Sequence, residues 1–215
     1  MRLTGTGIVK SWGATHVLRG LDITCEPGTV TALTGGNGTG KTTLIRVLAT
    51  ILKPDAGQIT LGELDLRGRV LKSRARIGYL GHDSMLDAAL TIRENLHMFG
   101  RLYGVSDPPA RAASLIERFE AARFADLPLT ELSRGQEQAG ALCRALVHGP
   151  ALLLLDEPST GLDKNARERL WRAAREQANE GCVVIFSTHD HDSARQVADH
   201  VVELAEGKLV SVGQG

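Results

Sequence analysis

The spacing of apolar positions changes along this chain and sorts it into elements. Val30-Thr31-Ala32-Leu33-Thr34, Leu152-Leu153-Leu154-Leu155 and Val183-Val184-Ile185-Phe186 are short apolar runs. They read as strands, the last two without a polar break and so of the type buried on both faces of a parallel sheet. Gly7-Ile8-Val9-Lys10, Leu21-Asp22-Ile23-Thr24-Cys25, Gln58-Ile59-Thr60-Leu61-Gly62 and Ile77-Gly78-Tyr79-Leu80 predict further strands. Pro27-Gly28 and Lys53-Pro54-Asp55-Ala56-Gly57 punctuate them as turns. From Thr91 to Leu146 the apolar residues recur at helical spacing: Leu96, Phe99 and Leu102-Tyr103, then Leu115, Phe119 and Ala122. Asp107-Pro108-Pro109 marks a helix start within that region. A helix over about 165–178 separates two of the apolar strands. Val201-Val202-Glu203-Leu204 and Lys208-Leu209-Val210-Ser211-Val212 bracket a Glu206-Gly207 turn. The pattern predicts a single α/β domain over residues 1–215, with a helical insertion over about 83–148.

Composition narrows the class. The 215 residues are 42% hydrophobic and 23% charged, with 25 basic and 25 acidic side chains and zero net charge. That balance gives no bulk electrostatic drive toward nucleic acid, and no nucleic-acid partner is expected. No run approaches the ~18 apolar residues of a membrane span. Met1-Arg2-Leu3-Thr4-Gly5 lacks the apolar stretch of a secretory signal. Cys25, Cys143 and Cys182 are far apart, match no metal spacing and read as free thiols.

The strongest chemical signal is Gly35-Gly36-Asn37-Gly38-Thr39-Gly40-Lys41-Thr42. It fits G-x-x-x-x-G-K-[ST] and lies between a predicted strand and the helical pattern Thr43-Leu44-Ile45-Arg46-Val47-Leu48-Ala49. Glycines let successive N–H groups turn inward around an anion, and the helix N-terminus adds its dipole. Lys41 supplies a cation for the β- and γ-phosphates, the Thr42 hydroxyl is placed to ligate Mg²⁺, and Thr43 extends the set of nucleotide contacts.

A second signal closes the run of leucines. Asp156 and Glu157 stand at the C-terminal edge of a buried strand, where α/β sheets place ligands. Asp156 would hold the Mg²⁺ water shell opposite Thr42, and Glu157 would orient or deprotonate the attacking water. A third is Leu132-Ser133-Arg134-Gly135-Gln136, in which Ser133 is a good N-cap and the helix N-terminus offers another anion site.

Together these stretches resemble the nucleotide-binding domain of ABC ATPases across nearly the whole chain. The resemblance implies the phosphate-loop NTPase fold, with a mixed β core, an antiparallel β subdomain and a helical subdomain. It implies ATP and Mg²⁺ as ligands. Leu132-Ser133-Arg134-Gly135-Gln136 matches the LSGGQ-type signature, giving Ser133, Gly135 and Gln136 a phosphate role. Asp163, after Ser159-Thr160-Gly161-Leu162, matches the D-loop, and His189 in Ser187-Thr188-His189-Asp190 matches the switch histidine. Trp12 stands where the family places an aromatic that stacks on adenine. The catalytic set would be Lys41, Glu157 and His189. Two such domains would pair head to tail around two ATP molecules. The pair would drive an integral membrane permease from the cytoplasmic, inner face of the cell membrane.

The sequence also departs from the family pattern. His82 stands where Gln is usual, and Arg134 replaces the first glycine of the signature. Tyr79-Leu80-Gly81-His82, Leu90-Thr91-Ile92-Arg93-Glu94-Asn95-Leu96 and Arg101-Leu102-Tyr103-Gly104 resemble the ATPase of the haem exporters of cytochrome c maturation. Drug, lipid and polysaccharide exporter ATPases share most of these strings. A soluble ABC protein acting on ribosomes or nucleic acid, and a small-molecule kinase, are further alternatives. The single cassette, the neutral charge and the ordered motifs favour transport.

Overall fold

The leucine run Leu152–Asp156 (β7) is buried at every position, and its side chains alternate between two cores. Leu153 and Leu155 enter one apolar cluster, while Leu152 and Leu154 enter the other. Val183–Ser187 (β8) divides in the same way, with Val184 and Phe186 on one side and Val183 and Ile185 on the other. This period-2 division explains the absence of polar residues from both runs, since each face of the sheet is covered.

The computed structural model describes residues 1–67 and 70–214, without the side chains of Val70, Ser193 and 211–214. Before β7 the chain forms β1 (Leu3–Trp12), β2 (Thr15–Cys25), β3 (Val30–Thr34), α1 (Lys41–Leu48), β4 (Ala56–Leu61), β5 (Leu64–Asp65), α2 (Val70–Arg74) and β6 (Ile77–Leu80). Three longer helices follow: α3 (Ile92–Leu102), α4 (Pro108–Arg118) and α5 (Arg134–Leu146). After β7 come α6 (Lys164–Asn179), β8, α7 (His191–Val197), β9 (His200–Ala205) and β10 (Lys208–Gln214).

Two sheets result. The larger runs β10-β9-β3-β8-β7-β6, parallel from β9 through β6, with β10 antiparallel at one edge. The smaller is antiparallel, in the order β2-β1-β4-β5. α3, α4, α5 and α6 supply the core on one face of the large sheet. On the other face, α1 and the small sheet close the second core. This is the expected α/β architecture, with a mixed sheet, an antiparallel sheet and a helical segment.

The helix boundaries follow local chemistry. Thr91 and Glu94 form a reciprocal capping box at α3, as do Ser133 and Gln136 at α5. Asp107 caps α4 ahead of its prolines, and Asp163 caps α6. All three cysteines are free and buried. Burial raises the Cys25 thiol to about 11 and the Cys182 thiol to about 12, so neither is a ready thiolate at neutral pH.

Candidate functional site

The C-terminal ends of three neighbouring parallel strands converge. β8 lies between β3 and β7, and Asp156 at the end of β7 is in register with Ser187 at the end of β8. β3 ends at Thr34 and leads into the glycine-rich loop and then α1. A loop and two strand ends thus meet at one edge of the sheet, the position at which open α/β sheets take ligands.

The loop has the backbone its glycines allow. Gly35, Gly38 and Gly40 have φ of 135°, 77° and 107°. Gly40 is also the left-handed N-cap of α1, and a Cβ there would come within 2.8 Å of Val17 Cγ1. β2 therefore packs directly on the loop, and the β1–β2 hairpin carries Trp12 opposite Thr15 near that contact. Trp12 is 57% exposed, and the Lys10 ammonium lies 5.3 Å from the centroid of its ring. Lys10 is in turn paired with Asp55 at 2.8 Å.

Lys41 is only 7% exposed, and its Nζ donates to Gly35 O at 2.8 Å and Gly36 O at 3.0 Å. Thr42 Oγ1 donates to Asp156 Oδ1 at 3.0 Å, and Ser187 Oγ donates to the same oxygen at 2.7 Å. Ser187 Oγ also accepts the Glu157 N–H at 2.9 Å. Glu157 Oε2 accepts from His189 Nδ1 at 3.0 Å, which requires the proton on Nδ1, and Thr160 Oγ1 reaches it at 3.5 Å. Glu157 has φ 48°, a left-handed conformation that a side-chain-bearing residue adopts only where its surroundings hold it. The result is a continuous polar chain from Thr42 through Asp156, Ser187 and Glu157 to His189.

The donor chemistry fits Mg²⁺. A hydroxyl and a buried carboxylate, Thr42 and Asp156, already meet at one oxygen, and Mg²⁺ favours one or two such protein oxygens completed by phosphates and water. Among the described residues no cluster of three or more His, Cys, Asp or Glu could hold a metal on protein ligands alone.

The structure thus brings together Lys41, Thr42, Asp156, Glu157 and His189. Ser133, Gly135, Gln136 and Asp163 instead line a separate pocket with Phe119 and Arg169. Among the described residues no hydrogen bond joins Ser133, Gly135 or Gln136 to residues 35–43; Ser133 and Gln136 bond to each other. Asp163 Oδ1 accepts from Ala166 N at 2.8 Å, a capping bond. His82 is exposed just beyond β6, with no hydrogen bond or ion pair among the described residues.

Sequence reasoning passed over Ser187, which joins the Asp156 carboxylate to the Glu157 backbone N–H. Its only sequence signal is its place immediately before Thr188-His189, at the end of an apolar strand. It also passed over Gln138, whose Nε2 donates to Pro158 O at 3.0 Å.

An ABC transporter family model matches residues 18–160. The daunorubicin resistance ATP-binding protein DrrA3 of Streptomyces coeruleorubidus is 38% identical over 213 residues, 98% of this chain and 67% of that protein. The Nod factor export ATP-binding protein I of Paraburkholderia xenovorans is 37% identical over 208 residues, 96% of this chain and 68% of that protein. A solved ATP-binding subunit of an ABC transporter superposes with TM-score 0.91 at 27% identity, over 100% of this chain and 90% of the other. A dimeric ATP-binding cassette in a post-hydrolysis state with ADP and Pi shares the fold, with TM-score 0.88 at 22% identity, covering 99% of this chain and 100% of the other.

Proposed function

Because the chain belongs to the ABC transporter family, and so to its ATPases, we propose that it is the energy-supplying subunit of an exporter that acts on a separate membrane permease. The observation that carries this reading is the polar chain linking Thr42, Asp156, Ser187, Glu157 and His189 beside the phosphate loop. No helix of the described residues is long and apolar enough to cross a membrane.

In this reading residues 1–215 work as one nucleotide-binding domain, with residues 83–148 inserted as helices. The loop N–H groups of residues 35–40 and the α1 terminus bind the phosphates, and Lys41 exchanges its loop carbonyls for phosphate oxygens. Thr42 and Asp156 hold Mg²⁺, which neutralises phosphate charge when bound. Glu157 accepts a proton from the attacking water, and His189 holds its carboxylate and meets the γ-phosphate. Trp12 stacks on the base.

Ser133, Gly135 and Gln136 form an anion site that the phosphate loop of the same chain does not share. A head-to-tail pair, with that site on the partner's nucleotide, gives it an occupant. ATP binding then favours the closed pair, and hydrolysis releases it. Asp163 sits at that junction. The permease would hold the pair at the inner face of the membrane, with His82 on the surface turned toward it.

For the cargo, the names of the relatives favour a small organic export substrate of the drug-resistance or Nod-factor kind. Haem export is the second reading, carried by the strings from Tyr79 to His82, Leu90 to Leu96 and Arg101 to Gly104. Co-purification of the tagged Glu157→Gln chain from membranes with ATP, followed by mass spectrometry, tests both. A multi-span membrane protein is expected. A haem-handling partner would select the second reading, and ribosomal partners alone would overturn transport.

A further inference from the structure

Arg134 is the first residue of α5, where a cation opposes the positive end of the helix dipole. Among the described residues its side chain has no hydrogen bond and no ion pair, so charge pairing does not account for it. Its guanidinium lies against Gly161. A Cβ at Gly161 would stand 3.0 Å from Nη1, 3.1 Å from Cζ and 3.2 Å from Nε. Gly161 has φ 75°, a conformation that strains any side chain, and a Cβ there would also crowd the exposed Arg134 guanidinium.

Gln138 lies one turn further along α5, on the same face at i+4, and donates to Pro158 O at 3.0 Å. Two successive turns of α5 therefore place side chains against one short segment, 158–161. That segment is the continuation of Glu157, whose φ of 48° needs external support. Thr160 N donates to Glu157 O and Leu162 N to Ser159 O, each at 3.2 Å, tying the segment to the residues on either side of it. Thr160 also presents its hydroxyl to the Glu157 carboxylate at 3.5 Å.

We propose that Arg134 is a positioning residue for Glu157, holding the 158–161 turn through Gly161 in concert with Gln138. Arg134 stands beside Ser133, so the end of α5 that faces the partner's nucleotide also sets the aim of this chain's own base. The inference rests on the reading of Glu157 as that base. Three guanidinium atoms lie within 3.2 Å of where a Gly161 Cβ would stand, and a lysine ammonium does not reproduce that planar group.

The test is steady-state ATP hydrolysis by Arg134→Ala, Arg134→Lys, Gln138→Ala and the Arg134/Gln138 double variant. ATP-dependent dimerisation is followed in parallel in the Glu157→Gln background. The expected result for Arg134→Ala is a kcat lower by about three- to tenfold, the scale of one lost contact. KM for ATP stays within about twofold and dimerisation is retained. Arg134→Lys does not restore kcat, and the double variant loses less than the product of the two single losses. A raised KM or lost dimerisation at unchanged kcat overturns the proposal and makes Arg134 a nucleotide contact. Wild-type kinetics in Arg134→Ala, with Glu157→Gln inactive, also overturns it while leaving the Glu157 reading intact. If Arg134→Ala fails to fold, Arg134→Met keeps the aliphatic stem and carries the same comparison.

Discussion

His189 Nδ1 donates to Glu157 Oε2 across 3.0 Å, joining the segment after β8 to the segment after β7. The bond fixes both the histidine tautomer and the direction of the carboxylate. Glu157→Gln is therefore expected to keep ATP binding while lowering turnover about a hundredfold or more, the range of a lost general base. His189→Ala, which releases the carboxylate without removing it, should lose less, about tenfold. Phosphate release and nucleotide titration on the same samples check both. Wild-type turnover in Glu157→Gln would remove it from the reaction.

Ser187 is fully buried and serves both carboxylate residues. Replacing it by alanine leaves the Glu157 N–H without an acceptor and takes one donor from Asp156. The expected penalty is roughly 1–3 kcal/mol. For a chain of this size each kcal/mol moves the thermal midpoint by about 2–4 °C. Calorimetry of Ser187→Ala reads this directly, and an unchanged midpoint would show that another group takes over both bonds.

Lys41→Ala should weaken ATP binding by roughly 1.5–3 kcal/mol, or about ten- to 150-fold in Kd, through the loss of a charge-assisted contact. Isothermal titration measures the change. Unaltered affinity would place the ammonium away from the phosphates.

The phosphate loop was legible because its backbone requires particular residues. Gly40 must be glycine where φ is 107° and Val17 presses close, so the spacing survives as text. Ser187 was not legible, because one hydroxyl at the end of an apolar strand looks like any other strand end. The β1–β2 hairpin is longer than its sequence suggested. Register shifts near Gly5, Ile8 and Lys10 interrupt the alternation on which strand recognition depends. The helices α2 and α7, of 5 and 7 residues, are too short for a helical period to emerge. The gap between Ser133 and the phosphate loop is a matter of tertiary placement, and spacing alone could not supply it.

His148 gives a pH prediction. Its Nε2 donates to Ile77 O at 3.1 Å, its ring stacks on Tyr103 with centroids 4.1 Å apart, and its buried Nδ1 has no hydrogen-bond partner among the described residues. Burial, reinforced by the nearby Arg144 and Arg111 guanidinium groups, lowers its pKa from 6.5 to about 4. Between those values the unfolded chain takes up a proton that the folded chain refuses. This contribution to stability is thus complete above pH 6.5 and fades as pH falls toward 4. The loss should be on the order of 2–3 kcal/mol. Urea unfolding at pH 7 and pH 5 should show a larger drop for the wild type than for His148→Phe, which keeps an aromatic face for Tyr103. Equal drops would mean that the folded protein admits the proton.

The two carbonyl bonds that hold Lys41 give the loop a threshold. Two of the three ammonium donors are already engaged, so an anion competes with those carbonyls for most of the hydrogen bonding Lys41 can offer. A weak, singly charged ion offers little more than the carbonyls already provide. A polyphosphate, with several charged oxygens close together, offers far more. On the proposed reading the loop favours ligands of high charge density, and small singly charged anions compete poorly with its own carbonyls for Lys41.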